Sequence, residues 1–230
     1  MSKSIFSVIV AGGSGSRMKS VIAKQFLPLF DKPILSHTIE KFLQIPDNNI
    51  IVVLPESDMF FWEDIIQSNE TLLAAVNTGQ IKSVVGGVTR FQSVNNGLNA
   101  IAETTGLVAI HDGVRPLISV EKIKDSFAQA QTSDSSILAV AVKDSVRVVK
   151  ENGDSKIIDR SELRLIQTPQ TFNLKLIKDA YALGELPHFT DDASVFEQAG
   201  HKVNLMEGEY KNIKITTPED LAVAEALLNK

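Results

Sequence analysis

The sequence predicts an α/β fold in which a mostly parallel, twisted sheet is flanked by helices. Short apolar runs without polar alternation recur along the chain, and segments of helical period lie between them. Uninterrupted apolar runs are typical of strands that are covered on both faces. The 230 residues, of which 43% are hydrophobic and 22% charged, fit a single globular domain over residues 1–230.

Four apolar runs are predicted to be strands of this sheet, at residues 5–11, 50–54, 107–110 and 137–142. Two stripes of helical spacing are predicted to face the core, formed by Leu35, Thr38, Ile39 and Phe42 and by Phe91, Val94, Leu98 and Ile101. Near the carboxyl end, Thr217 precedes Pro218, Glu219 and Asp220. This order predicts a capped helix whose apolar face is Leu221, Ala224 and Leu228.

One segment departs from the alternation of strand and helix. Residues 145–150 and 155–159 are short β-type runs, and the Asn152-Gly153 pair between them is a strong hairpin signal. We therefore predict a protruding hairpin arm at about residues 143–163. Its valines and isoleucines need a covering surface, which either a partner subunit or the chain's own domain would supply.

Composition excludes several classes of protein. The net charge of −5 disfavours nonspecific nucleic-acid binding, and the absence of cysteine excludes disulfides and thiolate chemistry. No run of about 18 apolar residues is present, and the amino terminus shows no signal-peptide pattern. The expectation is a cytoplasmic protein without nucleic-acid or membrane partners.

The first predicted strand leads into a glycine-rich loop with Ala11, Gly12, Gly13 and Gly15. Backbone N–H groups in such a loop approach phosphates closely, and the cations Arg17 and Lys24 follow. Met18 stands where a Walker loop or a dinucleotide fingerprint needs glycine. The loop therefore indicates a polyphosphate site of another kind, with solvation of an ordinary loop as the alternative for the two cations.

Asp112 follows the third predicted strand, at the end of the sheet where open α/β proteins bind ligands. Its carboxylate is suited to sugar hydroxyls or magnesium, and capping of the next turn is the alternative. Neighbouring His111 is interpreted as a packing residue. Arg160 and Lys214 are candidates for a second phosphate if all four cations converge.

Several segments along the chain, taken together, resemble the 2-C-methyl-D-erythritol 4-phosphate cytidylyltransferases of the non-mevalonate isoprenoid pathway. The similarity runs in family order through VIVAGGSGSRM, AKQFL, GGVTRFQSV, IHDGVRP, IDRSELRLIQTPQTF, FTDDAS and YKNIKITTPEDL. It implies a Rossmann-like nucleotidyltransferase fold, a homodimer, and transfer of CMP from CTP to methylerythritol phosphate with release of pyrophosphate. It also implies a divalent cation, usually Mg²⁺, held mainly by the CTP phosphates, and we name no protein ligand for it.

The resemblance assigns roles by motif. Arg17 and Lys24 would stabilise the reacting α-phosphorus, while Lys214 and an Arg160 from the neighbouring subunit would position methylerythritol phosphate. The nucleotide-binding residues implied are Ala11, Gly12, Gly13, Gly15, Gly86, Gly87, Ser93 and Asp112. The substrate-binding residues implied are Asp112, Arg115, Ser145, Arg160, Thr168, Thr190 and Lys214.

Two positions depart from the usual family pattern. Ser145 stands where threonine is common and keeps the hydroxyl, whereas Lys211 stands at a position that is often acidic.

Two alternative functions remain open: a ribitol-5-phosphate cytidylyltransferase, which would share the fold and the CTP loop, and a nucleotide-binding module without turnover. The block from Thr190 to Ser194 favours methylerythritol phosphate, and the four retained cations favour turnover.

Overall fold

The computed structural model describes residues 4–12 and 22–228. The strands are β1 (Ile5–Val10), β2 (Pro28–Leu29), β3 (Lys32–Pro33), β4 (Asn48–Leu54), β5 (Ile81–Val85), β6 (Leu107–Asp112), β7 (Ser135–Ala141), β8 (Val146–Val149), β9 (Ser155–Ile158), β10 (Arg164–Asn173) and β11 (Leu205–Glu207). The helices are α1 (Ile34–Leu43), α2 (Met59–Ser68), α3 (Glu70–Asn77), α4 (Arg90–Asn99), α5 (Val120–Ser133), α6 (Leu174–Tyr181), α7 (Asp192–Gln198) and α8 (Pro218–Leu228).

Seven strands form the main sheet in the order β11-β7-β10-β6-β1-β4-β5. Strand β10 is antiparallel to β6 and β7, and the other neighbouring pairs are parallel, which confirms the predicted mostly parallel sheet. Val10 is in register with Val53 on one side and with Asp112 on the other. The carboxyl ends of β1, β4 and β6 therefore meet at one edge, where the loops after them lie side by side.

Helices cover both faces of the sheet, as the uninterrupted apolar strands predict. Helices α1, α2, α3 and α5 contribute to one apolar cluster, and α4, α6 and α7 contribute to a second. Strand β1 shows why both are needed, because Ile9 belongs to the first cluster while Val8 and Val10 belong to the second. Side chains alternate between the faces along a strand, so burial of both faces requires apolar residues throughout.

The predicted helical stripes are largely confirmed. All four residues of the first stripe are buried in α1, whereas α4 ends at Asn99, so that Ile101 is buried just beyond the helix. Thr217 precedes α8, and its Oγ1 accepts a hydrogen bond from the Asp220 N–H at 3.4 Å.

Helix α4 packs directly on β1, because a Cβ at Gly97 would lie 2.6 Å from Val8 Cγ1. This close approach brings the start of α4 to the edge of the sheet where β1 ends.

The predicted hairpin is present as β8 and β9, which form a two-stranded antiparallel sheet of their own. Gly153 adopts a φ of +86° in the connecting turn, a conformation that favours glycine. Val149 is 68% exposed and Ile157 is 63% exposed. The chain's own domain therefore leaves these two apolar side chains uncovered. Within the described ranges, no helix is both long enough and apolar enough to span a membrane.

Candidate active site

Asp112 is the last residue of β6, and three cationic side chains surround its carboxylate. Lys214 Nζ lies 2.9 Å and Arg115 Nε 3.3 Å from Asp112 Oδ2, and Arg90 Nε lies 3.7 Å from Oδ1. Burial by itself would raise the pKa of Asp112, but Arg90, Lys214 and Arg115 together hold it well below its usual range. The carboxylate is therefore ionised and anchors a cluster of positive charge at the strand end.

The backbone after β11 brings Lys214 to this cluster from a distant part of the chain. The Ile215 N–H donates to the Val114 carbonyl at 3.0 Å, and Arg115 Nη1 donates to the Asn212 carbonyl at 2.8 Å. The segment that carries Lys214 thus runs beside the turn that follows β6.

A cavity of about 570 Å³ opens beside Gly12 and the start of α4. Its lining includes Gly12, Gly87, Arg90 and Ser93. Ser93 Oγ accepts a hydrogen bond from the Gly87 N–H at 3.1 Å, which fixes the turn before the helix. A Cβ at Gly87 would lie 2.2 Å from Gln92 Cβ, so the turn requires glycine there. Gly86 has the same constraint, because its Cβ would lie 2.8 Å from Ser93 Oγ.

A smaller cavity of about 80 Å³ is lined both by Ala11 and Gly12 and by the Asp112 cluster. Its lining residues are Val10, Ala11, Gly12, Lys24, Gln25, Arg90, Asp112, Val114 and Lys214. Two of the predicted cations, Lys24 and Lys214, therefore face the same space although 190 residues separate them in the chain. Gln25 supports this region, because its Nε2 donates to Asp58 Oδ2 at 2.7 Å.

On the other side of Asp112 lies a cavity of about 270 Å³. Its lining residues are Arg90, Asp112, Arg115, Ile166, Gln167, Thr168, Gln170, Thr190, Asp191 and Lys214. The predicted substrate-binding residues Asp112, Arg115, Thr168, Thr190 and Lys214 are thus brought together. Thr168 is held by the Asp112 N–H, which donates to its Oγ1 at 3.0 Å.

His111 is a buried packing residue, as its interpretation from the sequence proposed. Nε2 lies 3.2 Å from the Arg115 carbonyl, which can only accept, so Nε2 carries the proton. Nδ1 then accepts from the Thr168 hydroxyl at 3.0 Å. Burial lowers the pKa of His111 to about 3, aided by the Arg115 and Lys214 charges. The neutral ring braces the strand end below the site.

Some predicted site residues are not placed in these cavities. Arg160 is exposed in a short 3-10 turn and donates to the Lys143 carbonyl, and Ser145 is exposed just before β8. Neither lines any of the three cavities described above. The predictions for Gly13, Gly15 and Arg17 lie outside the described residues.

Sequence reasoning missed the side chain that separates the two larger cavities. Arg90 lines all three cavities, and its guanidinium forms a two-point pair with Asp192, at 2.8 Å from Nη1 to Oδ1 and 2.7 Å from Nη2 to Oδ2. The available signal was its position directly after Thr89, which caps α4 by accepting from the Gln92 N–H. A cation at a helix start is disfavoured by the helix dipole, which marks Arg90 as unusual but does not identify its partner.

The model of the 2-C-methyl-D-erythritol 4-phosphate cytidylyltransferase family matches residues 5–230. The chain belongs to this family. It is a nucleotidyltransferase. The family match confirms the resemblance seen in the sequence, and the solved structures confirm the predicted fold class. The 2-C-methyl-D-erythritol 4-phosphate cytidylyltransferase of Bacteroides fragilis is 44% identical over 225 residues, which cover 96% of this chain and 98% of that protein.

Solved structures of the family have the same fold. The 4-diphosphocytidyl-2C-methyl-D-erythritol synthase of Anaerococcus prevotii superposes with a TM-score of 0.84 at 32% identity, over 99% of this chain and 97% of that one. The 2-C-methyl-D-erythritol 4-phosphate cytidylyltransferase of Francisella tularensis gives a TM-score of 0.79 at 32% identity, over 97% and 100% of the two chains.

Proposed function

We propose that this family member transfers CMP from CTP to 2-C-methyl-D-erythritol 4-phosphate, giving 4-diphosphocytidyl-2-C-methyl-D-erythritol and pyrophosphate. The observation that supports it most directly is the shared cavity of Lys24 and Lys214 beside Asp112. That cavity lies between the glycine-lined cavity and the threonine-lined cavity. A nucleotide and a polyol phosphate bound on either side would bring their phosphates together at these ammonium groups.

The reaction needs positioning and charge compensation more than acid–base chemistry. An oxygen of the methylerythritol phosphate is already ionised near neutral pH, so it attacks the α-phosphorus without a strong base. A new phosphorus–oxygen bond forms as the bond to the β-phosphate breaks, and the electron pair leaves with pyrophosphate. Lys24 is assigned to the charge that develops at the α-phosphorus, and Lys214 to the incoming phosphate. Arg17 is assigned the same role as Lys24.

Gly12 and Gly87 line the nucleotide cavity, where the lack of side chains leaves the backbone accessible to a ligand. Ser93 fixes the turn that contains Gly87. We assign the triphosphate to the Ala11–Gly12 side and the cytosine to the Gly86–Gly87 turn. Asp112 and Arg115, with Thr168 and Thr190 on the facing wall, are assigned to the polyol phosphate. The charged floor binds phosphate, while the two threonines offer hydroxyl groups to the polyol.

Magnesium or another divalent cation belongs to the proposal as a partner of the nucleotide. The described residues contain no group of three or more carboxylates or histidines able to enclose a metal ion. Asp112, which lines the site, already contacts Lys214 and Arg115. This donor set fits a cation whose ligands are mainly triphosphate oxygens and water. When bound, such a cation would neutralise part of the triphosphate charge.

The exposed hairpin supports a proposal about the oligomeric state. Val149 and Ile157 are exposed on the hairpin, and a second subunit packed there would bury them and carry its Arg160 towards this site. Ser145, close to the same hairpin, would reach the substrate in the same way. We propose a homodimer that acts in the cytoplasm.

A pyrophosphate-release assay tests the function. CTP with magnesium is presented with methylerythritol phosphate or with ribitol 5-phosphate at equal concentration. We expect release with the first and at least about 100-fold lower kcat/KM with the second, because a hydroxyl-reading site discriminates strongly. Preference for ribitol phosphate would overturn the substrate assignment. CTP binding without pyrophosphate release from either substrate would instead indicate a nucleotide-binding module.

A further inference from the structure

Asp192 is a fully buried carboxylate at the first position of α7, and three donors converge on it. Two come from the Arg90 guanidinium, and the third is the Tyr181 hydroxyl, 2.6 Å from Oδ1. A carboxylate at a helix start is stabilised by the helix dipole, and a buried one needs donors for its lone pairs. The Tyr181 hydroxyl supplies a hydrogen-bond donor in addition to the two from Arg90.

This carboxylate determines where the Arg90 guanidinium lies. Arg90 Nε is 3.7 Å from Asp112 Oδ1, so two carboxylates compete for the same cation. The two-point pair with Asp192 keeps the guanidinium turned along the wall between the nucleotide cavity and the polyol-phosphate cavity. A shift of Arg90 towards Asp112 would alter the shape of both cavities and the charge near Lys214.

Tyr181 also contacts the residue next to Arg90. Its ring stacks on Phe91 with centroids 4.5 Å apart, and Phe91 stacks in turn on Phe189 at 6.0 Å. Tyr181 is 2% exposed at the end of α6, so it links the start of α4 to the start of α7. Burial, reinforced by the Asp192 charge, raises the pKa of Tyr181 well above its ordinary value, and the hydroxyl stays a donor.

We propose that Tyr181 is a positioning residue for cytidylyl transfer, whose hydroxyl holds Asp192 and thereby fixes the Arg90 guanidinium as the wall of the nucleotide cavity. The inference rests on the proposed function, but its first effect is on nucleotide binding. A guanidinium that is already fixed loses little freedom when CTP binds, whereas a loosened one must be ordered at the expense of affinity.

The test measures the Kd and KM for CTP in the presence of magnesium. Tyr181→Phe keeps the stacked ring and removes only the hydroxyl. We expect both constants to rise about 3- to 10-fold, the range of one hydrogen bond, with kcat changed less than about 2-fold. Tyr210→Phe is the matched control, because its hydroxyl donates to the Ala141 carbonyl at 3.0 Å on the exposed surface. Its constants for CTP are expected to equal those of the unmodified chain.

A double-variant comparison shows whether Tyr181 acts through Asp192. Asp192→Asn should weaken CTP binding at least as much as Tyr181→Phe, and adding Tyr181→Phe to it should change the Kd less than about 2-fold. Independent, multiplying effects would overturn the inference. So would a Tyr181→Phe protein that unfolds at lower temperature but binds CTP like Tyr210→Phe, since its hydroxyl would then serve stability alone.

Two results separate this inference from the proposed function. An unmodified chain that binds CTP but does not act on methylerythritol phosphate would refute the function, while the Kd comparison still decides the role of Tyr181. If Asp192→Asn does not fold, the Kd of Tyr181→Phe against that of Tyr210→Phe is decisive by itself.

Discussion

Lys214 Nζ lies 2.9 Å from Asp112 Oδ2, although the two residues are far apart in the chain. The ion pair fixes a long, flexible lysine on the wall shared by the cavity that contains Lys24 and the threonine-lined cavity. Asp112 itself lies almost entirely inside the protein, with 7% of its surface exposed. Its charge therefore acts mainly on the cations around it.

Replacement of Lys214 should affect the acceptor substrate most. We expect Lys214→Gln to lower kcat/KM for methylerythritol phosphate by about 100-fold, because the variant removes the ammonium assigned to the incoming phosphate; this factor corresponds to about 2.7 kcal/mol. Lys175→Gln serves as the control, because Lys175 pairs with Asp179 on the exposed surface of α6. Equal activities of the two variants in a pyrophosphate-release assay would remove Lys214 from the site.

Lys24 and Arg17 should act on the transition state more than on the bound substrates. We expect Lys24→Ala and Arg17→Ala to lower kcat by more than they raise KM for CTP, because charge at the α-phosphorus grows during the reaction. Lys82→Ala on the exposed side of β5 is the control. Steady-state kinetics decide, and unchanged turnover in both variants would refute the assignment.

Sharing of Arg160 between subunits can be tested by mixing inactive chains. Arg160→Ala subunits are exchanged with Lys24→Ala subunits, and each mixed dimer would contain one site with both cations. Random exchange should restore about a quarter of the unmodified activity, since half the dimers are mixed and half their sites are intact. A mixture as inactive as its two components would show that each site uses its own Arg160.

The buried neutral His111 should make stability depend on pH. Its pKa is about 3 in the folded protein and about 6.5 when unfolded, so only the unfolded chain binds the proton between these values. The free energy of unfolding should thus fall as the pH drops below 6.5, by at most about 1.4 kcal/mol per unit, and stay level above it. The comparison is with His111→Gln, by urea unfolding from pH 7.5 to 4.5. Parallel curves for the two proteins would contradict the prediction.

Local pattern was enough to predict the covered parallel strands, the hairpin and the capped last helix. Each depends on neighbouring residues, such as the apolar run of β1 or the Asn152-Gly153 turn. Asp112 was found for the same reason, because the end of a strand can be read from the sequence. Lys24 and Lys214 were candidates from their sequence surroundings, the resemblance gave them roles, and the structure places both on one cavity.

Long-range pairing decided the rest. The reversed direction of β10 was not predicted, because strand direction depends on the path of the chain and not on apolar pattern. Arg90 and Asp192 are 102 residues apart, and the sequence around either residue does not indicate that the two form a pair. Tyr181 looks like an ordinary core residue until folding brings its hydroxyl to Asp192.

By itself, the sequence determined the alternation of strand and helix, the glycine turn and the chemical types of the site residues, because these follow from backbone preferences and side-chain chemistry over short stretches. Only the tertiary structure decided which charges share a cavity and which cation is held between two carboxylates. The Arg90 guanidinium owes its place to α4, α6, α7 and β6 together, and their packing is a property of the whole fold.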